Sequence, residues 1–211
     1  MANICCDDVI FYTEGNPEGL YDLWEDLETY IILNQNPDLC WIGNLFSHKK
    51  IDSTGISLRG NVSYMEWNDT YILLSLETAW TPLYEAYQAI AAAYHVPFVI
   101  NDNVDIALKV DADGVHVGQS DMEAGKVREK LGPDKIIGVS CKNVEQALLA
   151  KKHGADYLGV GAMYPTGTKK DATAVTPEAL SAVCQAVDIP VVAIGGINKD
   201  RLEPLKGTGV D

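Results

Sequence analysis

The residues best suited to chemistry lie in Gly159–Lys170, Gly-Val-Gly-Ala-Met-Tyr-Pro-Thr-Gly-Thr-Lys-Lys. An apolar run from Tyr157 to Val160 leads into a loop that sets Thr166, Thr168, Lys169 and Lys170 within five residues. Two hydroxyls, two ammoniums and glycine backbone suit phosphate oxygens, because donors are abundant and the charge is favourable. A solvated Thr/Lys turn accounts for the same residues equally well. The weight comes from other places where an apolar run ends in a polar group. Asn101 and Asp102 follow Val96–Ile100, Asp121 follows Val115–Val117, Ser140 follows Ile136–Val139, and Gly195-Gly196 follow Pro190–Ile194.

Taken singly, Asp102 or Asp121 is better read as a helix N-cap. Five consecutive strand ends bearing carboxylate, hydroxyl, Lys or Gly-Gly are not explained by capping. Two carboxylates from neighbouring strands suit Mg²⁺, which keeps waters and binds substrate phosphates. The Gly195-Gly196 backbone can approach a second phosphate closely.

The elements that must position these groups alternate. Over 94–211 the apolar runs at 96–100, 115–117, 136–139, 157–161 and 190–194 read as strands. Helical patterns lie between them at 104–110, 122–131, 143–153 and from Thr176-Pro177 onward. Apolar strands alternating with helices mean parallel β-α units, and in a (β/α)8 barrel all five strand ends would share one rim. A weak repeat, Asp111-Ala-Asp-Gly-Val, Gly154-Ala-Asp-Tyr-Leu and Gly207-Thr-Gly-Val-Asp211, marks where helices give way to strands. The third copy coincides with the last residue, so a partial barrel of about five units, ending at an unfinished strand, is expected.

Residues 1–93 belong to another composition regime. They hold all four Trp, seven of ten Tyr, and 14 acidic against 3 basic side chains, whereas 94–211 hold 16 acidic and 13 basic. A boundary between domains 1–93 and 94–211, or a fusion point, is therefore expected. The pattern reads as a strand at 4–12, a helix from Asn16-Pro17 to Ile31, short strands at 56–58, 63–67 and 71–76, and a helix after Thr81-Pro82. His48 falls in an expected solvated loop. That order suggests a small α+β module. Met1-Ala-Asn3, Gly43–Phe46 and Trp67…Thr78-Ala-Trp80-Thr-Pro82 loosely resemble the ferredoxin-like domain of plasmid- and phage-borne proteins.

A net charge of −14 argues against a nucleic-acid or anionic-membrane partner. Five cysteines without a C-x-x-C pattern read as reduced thiols of a cytoplasmic protein. Met1–Asp8 contain no basic group and do not read as a signal sequence, and no apolar run approaches membrane-spanning length.

Five motifs in order over 96–211 resemble thiamine-phosphate synthase: Val96-Pro-Phe-Val-Ile-Asn-Asp102, Ala112-Asp-Gly-Val-His-Val-Gly-Gln-Ser-Asp121, Ile136-Ile-Gly-Val-Ser140, Pro165-Thr-Gly-Thr-Lys169 and Val191-Val-Ala-Ile-Gly-Gly-Ile197. The resemblance implies condensation of hydroxymethylpyrimidine diphosphate with a thiazole phosphate, giving thiamine phosphate and pyrophosphate. It implies that Asp102 and Asp121 hold Mg²⁺ and that Asn101, Ser140 and Lys169 bind the pyrimidine substrate. Thr166, Thr168 and Gly196 would bind the thiazole phosphate.

The sequence departs from that family in two places. The family's Gln-x-Arg-Glu-Lys strand motif is absent from 1–96, where the basic residues are Lys49, Lys50 and Arg59. Its last strand would follow Asp211. Impaired turnover is therefore expected, together with open sheet edges that invite self-association. The non-enzymatic alternative is a fused or truncated chain in which 1–93 is a binding module and the barrel portion is inert.

Overall fold

A computed structural model describes residues 4–12, 17–32, 41–67, 71–79, 82–165, 174–197 and 201–210. The chain divides into two compact units, Met1–Val99 and Ile100–Asp211.

In the first unit, strand β1 (Ile4–Tyr12) pairs antiparallel with β3 (Tyr71–Ala79), which also pairs antiparallel with β2 (Gly60–Trp67), giving the order β1-β3-β2. Helix α1 (Pro17–Leu27) runs into a π-helical turn at Glu28–Ile32. Its apolar spacing buries Leu20, Leu23, Leu27 and Ile31. Phe11, Ile72, Leu74 and Leu76 supply the buried face of the sheet. Helix α3 (Tyr84–Tyr94) buries Ala86, Tyr87, Ile90, Ala91 and Tyr94.

Two expectations are corrected here. The segment 56–58 is not a strand; Leu58 lies where it would touch a side chain at Gly43, against the first turn of helix α2 (Gly43–Lys49). His48 is not in a loop but in the last turn of α2. Its ring stacks on Tyr30 at 3.5 Å, and Nε2 stands 3.4 Å from the Asp26 carboxylate. Asp26 also accepts from the Tyr94 hydroxyl at 2.7 Å. The stacked pair Trp24–Trp67, 4.5 Å between centroids, ties α1 to β2.

The second sheet is parallel, with order β4-β5-β6-β7-β8. Its strands are β4 (Val99–Asn101), β5 (Gly114–Val117), β6 (Ile136–Cys141), β7 (Tyr157–Gly161) and β8 (Val191–Ile194). The connecting helices are α4 (Val104–Lys109), α5 (Ala124–Leu131), α6 (Val144–Lys152) and α7 (Pro177–Ala186). This is the five-unit, partial barrel-like α/β arrangement the alternation implied. Because neighbours in the sheet are consecutive in the chain, and parallel crossovers are right-handed as a rule, the helices share one face.

Strand alternation sorts the side chains accordingly. Val115, Val117, Ile137, Val139, Cys141, Leu158, Val160 and Val191 are all buried and form the helix-side layer. Gly114, His116, Gly138, Ser140, Tyr157, Gly159 and Gly161 occupy the other face. Register places His116 beside Gly138, Gly138 beside Tyr157, and Ser140 beside Gly159.

The ends of the strands opposite the rim are locked by Arg128 on α5. Its guanidinium donates to the carbonyls of Gly132 (3.0 Å), Lys135 (2.7 Å) and Gly154 (2.8 Å). It also donates to Asp156 Oδ2 at 2.6 Å, and that same oxygen accepts from the Ile137 amide. One planar fork thus joins the loops that enter β6 and β7.

Candidate functional site at the strand ends

The candidate site is built from the C-terminal ends of the parallel strands. Asn101 closes β4, and Asp102 follows it with φ 63, in the left-handed region that Asp tolerates better than most side chains. The Asp102 amide donates to the His116 carbonyl at 2.7 Å, which pins this carboxylate-bearing residue to β5. Helix α4 is capped not by Asp102 but by Asn103, whose side chain accepts from the Ile106 amide at 3.0 Å.

Asp121 lies in the turn after β5. Its Oδ2 accepts from the Gly118 amide at 2.6 Å, while its own amide donates to the Gly118 carbonyl at 3.2 Å. The N-cap position of α5 is Glu123, which makes no side-chain capping bond. The capping explanation of the two carboxylates therefore gives way. Asn103 caps α4, and Asp121 closes its own turn. Both Asp102 and Asp121 are exposed at neighbouring strand ends.

Ser140 stands near the end of β6, half-buried on the face away from the helices. Its carbonyl accepts from Gln119 Nε2 at 2.7 Å and its Oγ lies 2.8 Å from His116 Nε2. The other imidazole nitrogen, Nδ1, is 2.9 Å from the Tyr157 hydroxyl. Two glycines make this row possible. A Cβ on Gly138 would overlap the Tyr157 ring and His116 Nδ1, and one on Gly159 would stand 2.9 Å from His116 Cε1. Helix-side packing places no such demand, so these glycines serve the polar row.

Gly195 and Gly196 follow β8 with φ 91 and 68. A Cβ on Gly196 would lie 2.8 Å from the Pro165 carbonyl oxygen and 2.9 Å from that of Tyr164. The Met163 and Tyr164 amides donate to the carbonyls of Ile194 and Gly195 at 2.9 and 3.0 Å. The segment leaving β7 is thus stitched to the glycine turn up to Pro165. Thr166, Thr168 and Lys169 lie outside the described residues. Arg201, exposed, donates to the Gly196 carbonyl at 2.7 Å and covers the Tyr164 ring at 5.0 Å.

Among the described residues no cluster of three or more His, Cys, Asp or Glu is arranged to hold a metal ion, and no helix is long and apolar enough to cross a membrane. Two carboxylates remain a donor set suited to Mg²⁺, which is commonly held by one or two carboxylates together with substrate phosphates.

His116, Tyr157, Gln119 and Arg201 were not singled out from the sequence. His116 and Tyr157 could have been, since strand alternation puts both on the Ser140 face. The contacts of Gln119 and Arg201 depend on turn geometry that spacing does not give. Behind Ser140, Cys141 points the opposite way, and burial, with a smaller effect from Cys184, pushes its thiol up to about 12.

A family model described as thiamine monophosphate synthase matches residues 75–211, beginning inside β3 and upstream of the motifs that start at Val96. The thiamine-phosphate synthase of Clostridium botulinum is 57% identical over 122 residues, 58% of this chain and 57% of that protein. That of Methanobrevibacter smithii is 43% identical over 187 residues, 88% of this chain and 84% of that protein. Among solved structures, a thiamine phosphate pyrophosphorylase from Pyrococcus furiosus superposes with a TM-score of 0.54 at 45% identity, covering 60% of this chain and 62% of that one. The chain thus spans little more than half the length of the Clostridium relative and most of the Methanobrevibacter one.

Proposed function

We propose, for a chain that belongs to the thiamine monophosphate synthase family, that its strand ends join hydroxymethylpyrimidine diphosphate to a thiazole phosphate. In that reaction the bond between the pyrimidine methylene carbon and the diphosphate oxygen breaks. The thiazole nitrogen then bonds to that carbon, and pyrophosphate leaves. No oxidation or reduction is involved.

The observation that carries this reading is the pinning of the Asp102 segment to β5 by the Asp102–His116 backbone bond. It brings the Asp102 strand end alongside the strand end that leads to Asp121. Asp102 and Asp121 Oδ1 would hold Mg²⁺, which when bound neutralises charge on the leaving diphosphate. Asp121 Oδ2 is already committed to the Gly118 amide. Asn101, Ser140 and Lys169 would orient the pyrimidine. Thr166, Thr168 and the Gly196 backbone would receive the thiazole phosphate, beside Arg201. Catalysis by this chain's own residues is then charge neutralisation and positioning rather than covalent chemistry.

Slow turnover is part of the reading. The family's diphosphate clamp is a Gln-x-Arg-Glu-Lys strand. β3, the strand that precedes α3 and β4 and where the family match begins, carries Leu74-Ser-Leu-Glu-Thr78 and no basic residue. Removing one preorganised donor commonly costs on the order of 10² to 10³ in rate.

Calorimetric titration of the chain with hydroxymethylpyrimidine diphosphate tests the reading. Binding should be tight only with Mg²⁺ present, and Mg²⁺ alone should bind weakly, because it dehydrates reluctantly and two carboxylates are a sparse cage. Affinity for the diphosphate that is indifferent to Mg²⁺ would count against it.

A further inference from the structure

We infer that His116 and Tyr157 are positioning residues that fix Ser140 as a hydrogen-bond donor toward a ring nitrogen of a heteroaromatic substrate. This rests on the reading that Ser140 faces the pyrimidine.

Three strands contribute one group each to an unbroken row. The Tyr157 hydroxyl from β7 is 2.9 Å from His116 Nδ1 of β5, and His116 Nε2 is 2.8 Å from Ser140 Oγ of β6. The strand between His116 and Tyr157 is bridged over Gly138, where any side chain would overlap both partners. Gly159 leaves room for the imidazole edge. Gln119 holds the Ser140 carbonyl from the turn after β5, so the backbone and side chain of Ser140 are fixed by separate groups.

A neutral imidazole has one donor and one acceptor, and the partner of one nitrogen decides the role of the other. A phenol is a more acidic donor than an alcohol, and its ring-conjugated oxygen is the weaker acceptor. The Tyr157 hydroxyl therefore donates to Nδ1, and the imidazole proton resides on Nε2. Nε2–H in turn donates to Ser140 Oγ. With one lone pair so engaged, the Ser140 hydroxyl hydrogen points to an outside acceptor. Pyrimidine ring nitrogens are such acceptors, whereas the thiazole phosphate is addressed by the other end of the rim.

The experiment is two-dimensional ¹⁵N NMR of the histidine rings at neutral pH, with His116 assigned by its loss in His116→Gln. A neutral Nε2–H tautomer is expected, redistributed in Tyr157→Phe. A wild-type Nδ1–H tautomer, or a spectrum that Tyr157→Phe leaves unchanged, would overturn the inference. A kinetic arm separates positioning from general structural damage. Tyr157→Phe should raise KM for the pyrimidine diphosphate about tenfold, the worth of one hydrogen bond, with KM for the thiazole phosphate unchanged. Equal changes in both would also overturn it. Absence of product from the wild-type chain would sink the transferase reading instead, and the NMR result would still decide the tautomer.

Discussion

The amide of Asp102 and the carbonyl of His116 are 2.7 Å apart, and this backbone bond links the end of β4 to β5 within the candidate site. On one side it holds the first carboxylate-bearing residue in a left-handed conformation. On the other it anchors the residue whose ring reaches Ser140.

Substitutions at Asp102 should therefore separate backbone from charge. Asn adopts the left-handed region as readily as Asp, so Asp102→Asn should keep the backbone conformation and cost less stability than Asp102→Ala, while removing the charge. Asp102→Ala should lose about 1 kcal/mol, because the same φ is strained for alanine. Urea unfolding of the two variants checks this; equal losses would mean that the carboxylate itself stabilises the fold.

Gly138→Ala should damage the polar row without touching the helix-side core. The added methyl would meet the Tyr157 ring and His116 Nδ1, forcing one of them aside at a cost of about 1–3 kcal/mol. The expected signature is a lowered Tm together with loss of the His116 tautomer preference. A stable Gly138→Ala with an unchanged histidine spectrum would show that the row has slack.

Most of the parallel sheet was legible because its signals are local. Asn143 and Thr176 cap their helices as their positions implied, accepting from Gln146 and Ala179 amides at 2.9 and 3.3 Å. The five apolar runs became five strands in chain order. The first unit was less legible. Ile56-Ser-Leu58 alternates like a strand but packs against α2, and nothing within three residues can reveal a missing partner strand. For Asp102 and Asp121 the sequence offered two readings, a metal pair and helix caps, since a carboxylate after a strand usually caps the next helix. Only the structure shows Asn103 in the capping role for α4.

Arg128 should matter for stability and not for chemistry. It donates to four carbonyls, those of Gly132, Pro133, Lys135 and Gly154, and to one carboxylate from a half-buried position. Removing it strands those acceptors, and Lys cannot reproduce the fork. Arg128→Ala should cost about 2–4 kcal/mol, and Arg128→Lys most of that, in urea unfolding. A cost below about 0.5 kcal/mol would mark the network as solvated and dispensable.

Cys141 predicts an alkaline limit. Its thiol is raised from 9.0 to about 12 by burial in the helix-side layer. A raised folded value means that the stabilisation is complete below the unfolded value and is lost as pH rises through the folded one. Stability of the wild type should therefore decline between about pH 9 and 12, and decline less in Cys141→Ala, as read from urea midpoints across that window. Under native conditions at neutral pH, Cys141 should resist alkylation while the half-buried Cys184 is modified first, as peptide mass mapping would show. Identical pH profiles for the two proteins would contradict the assignment.

The most direct measurement is product formation by the purified chain with Mg²⁺, hydroxymethylpyrimidine diphosphate and thiazole phosphate, followed by mass spectrometry of thiamine phosphate. Slow but measurable product is expected, dependent on both substrates, reduced on the order of 10² or more by Asp102→Asn, Asp121→Asn or Lys169→Ala. Since Asp102→Asn keeps the backbone, its loss reports the carboxylate alone. No product from a folded wild-type chain, or product that survives all three substitutions, would contradict the assignment of the strand ends as the site.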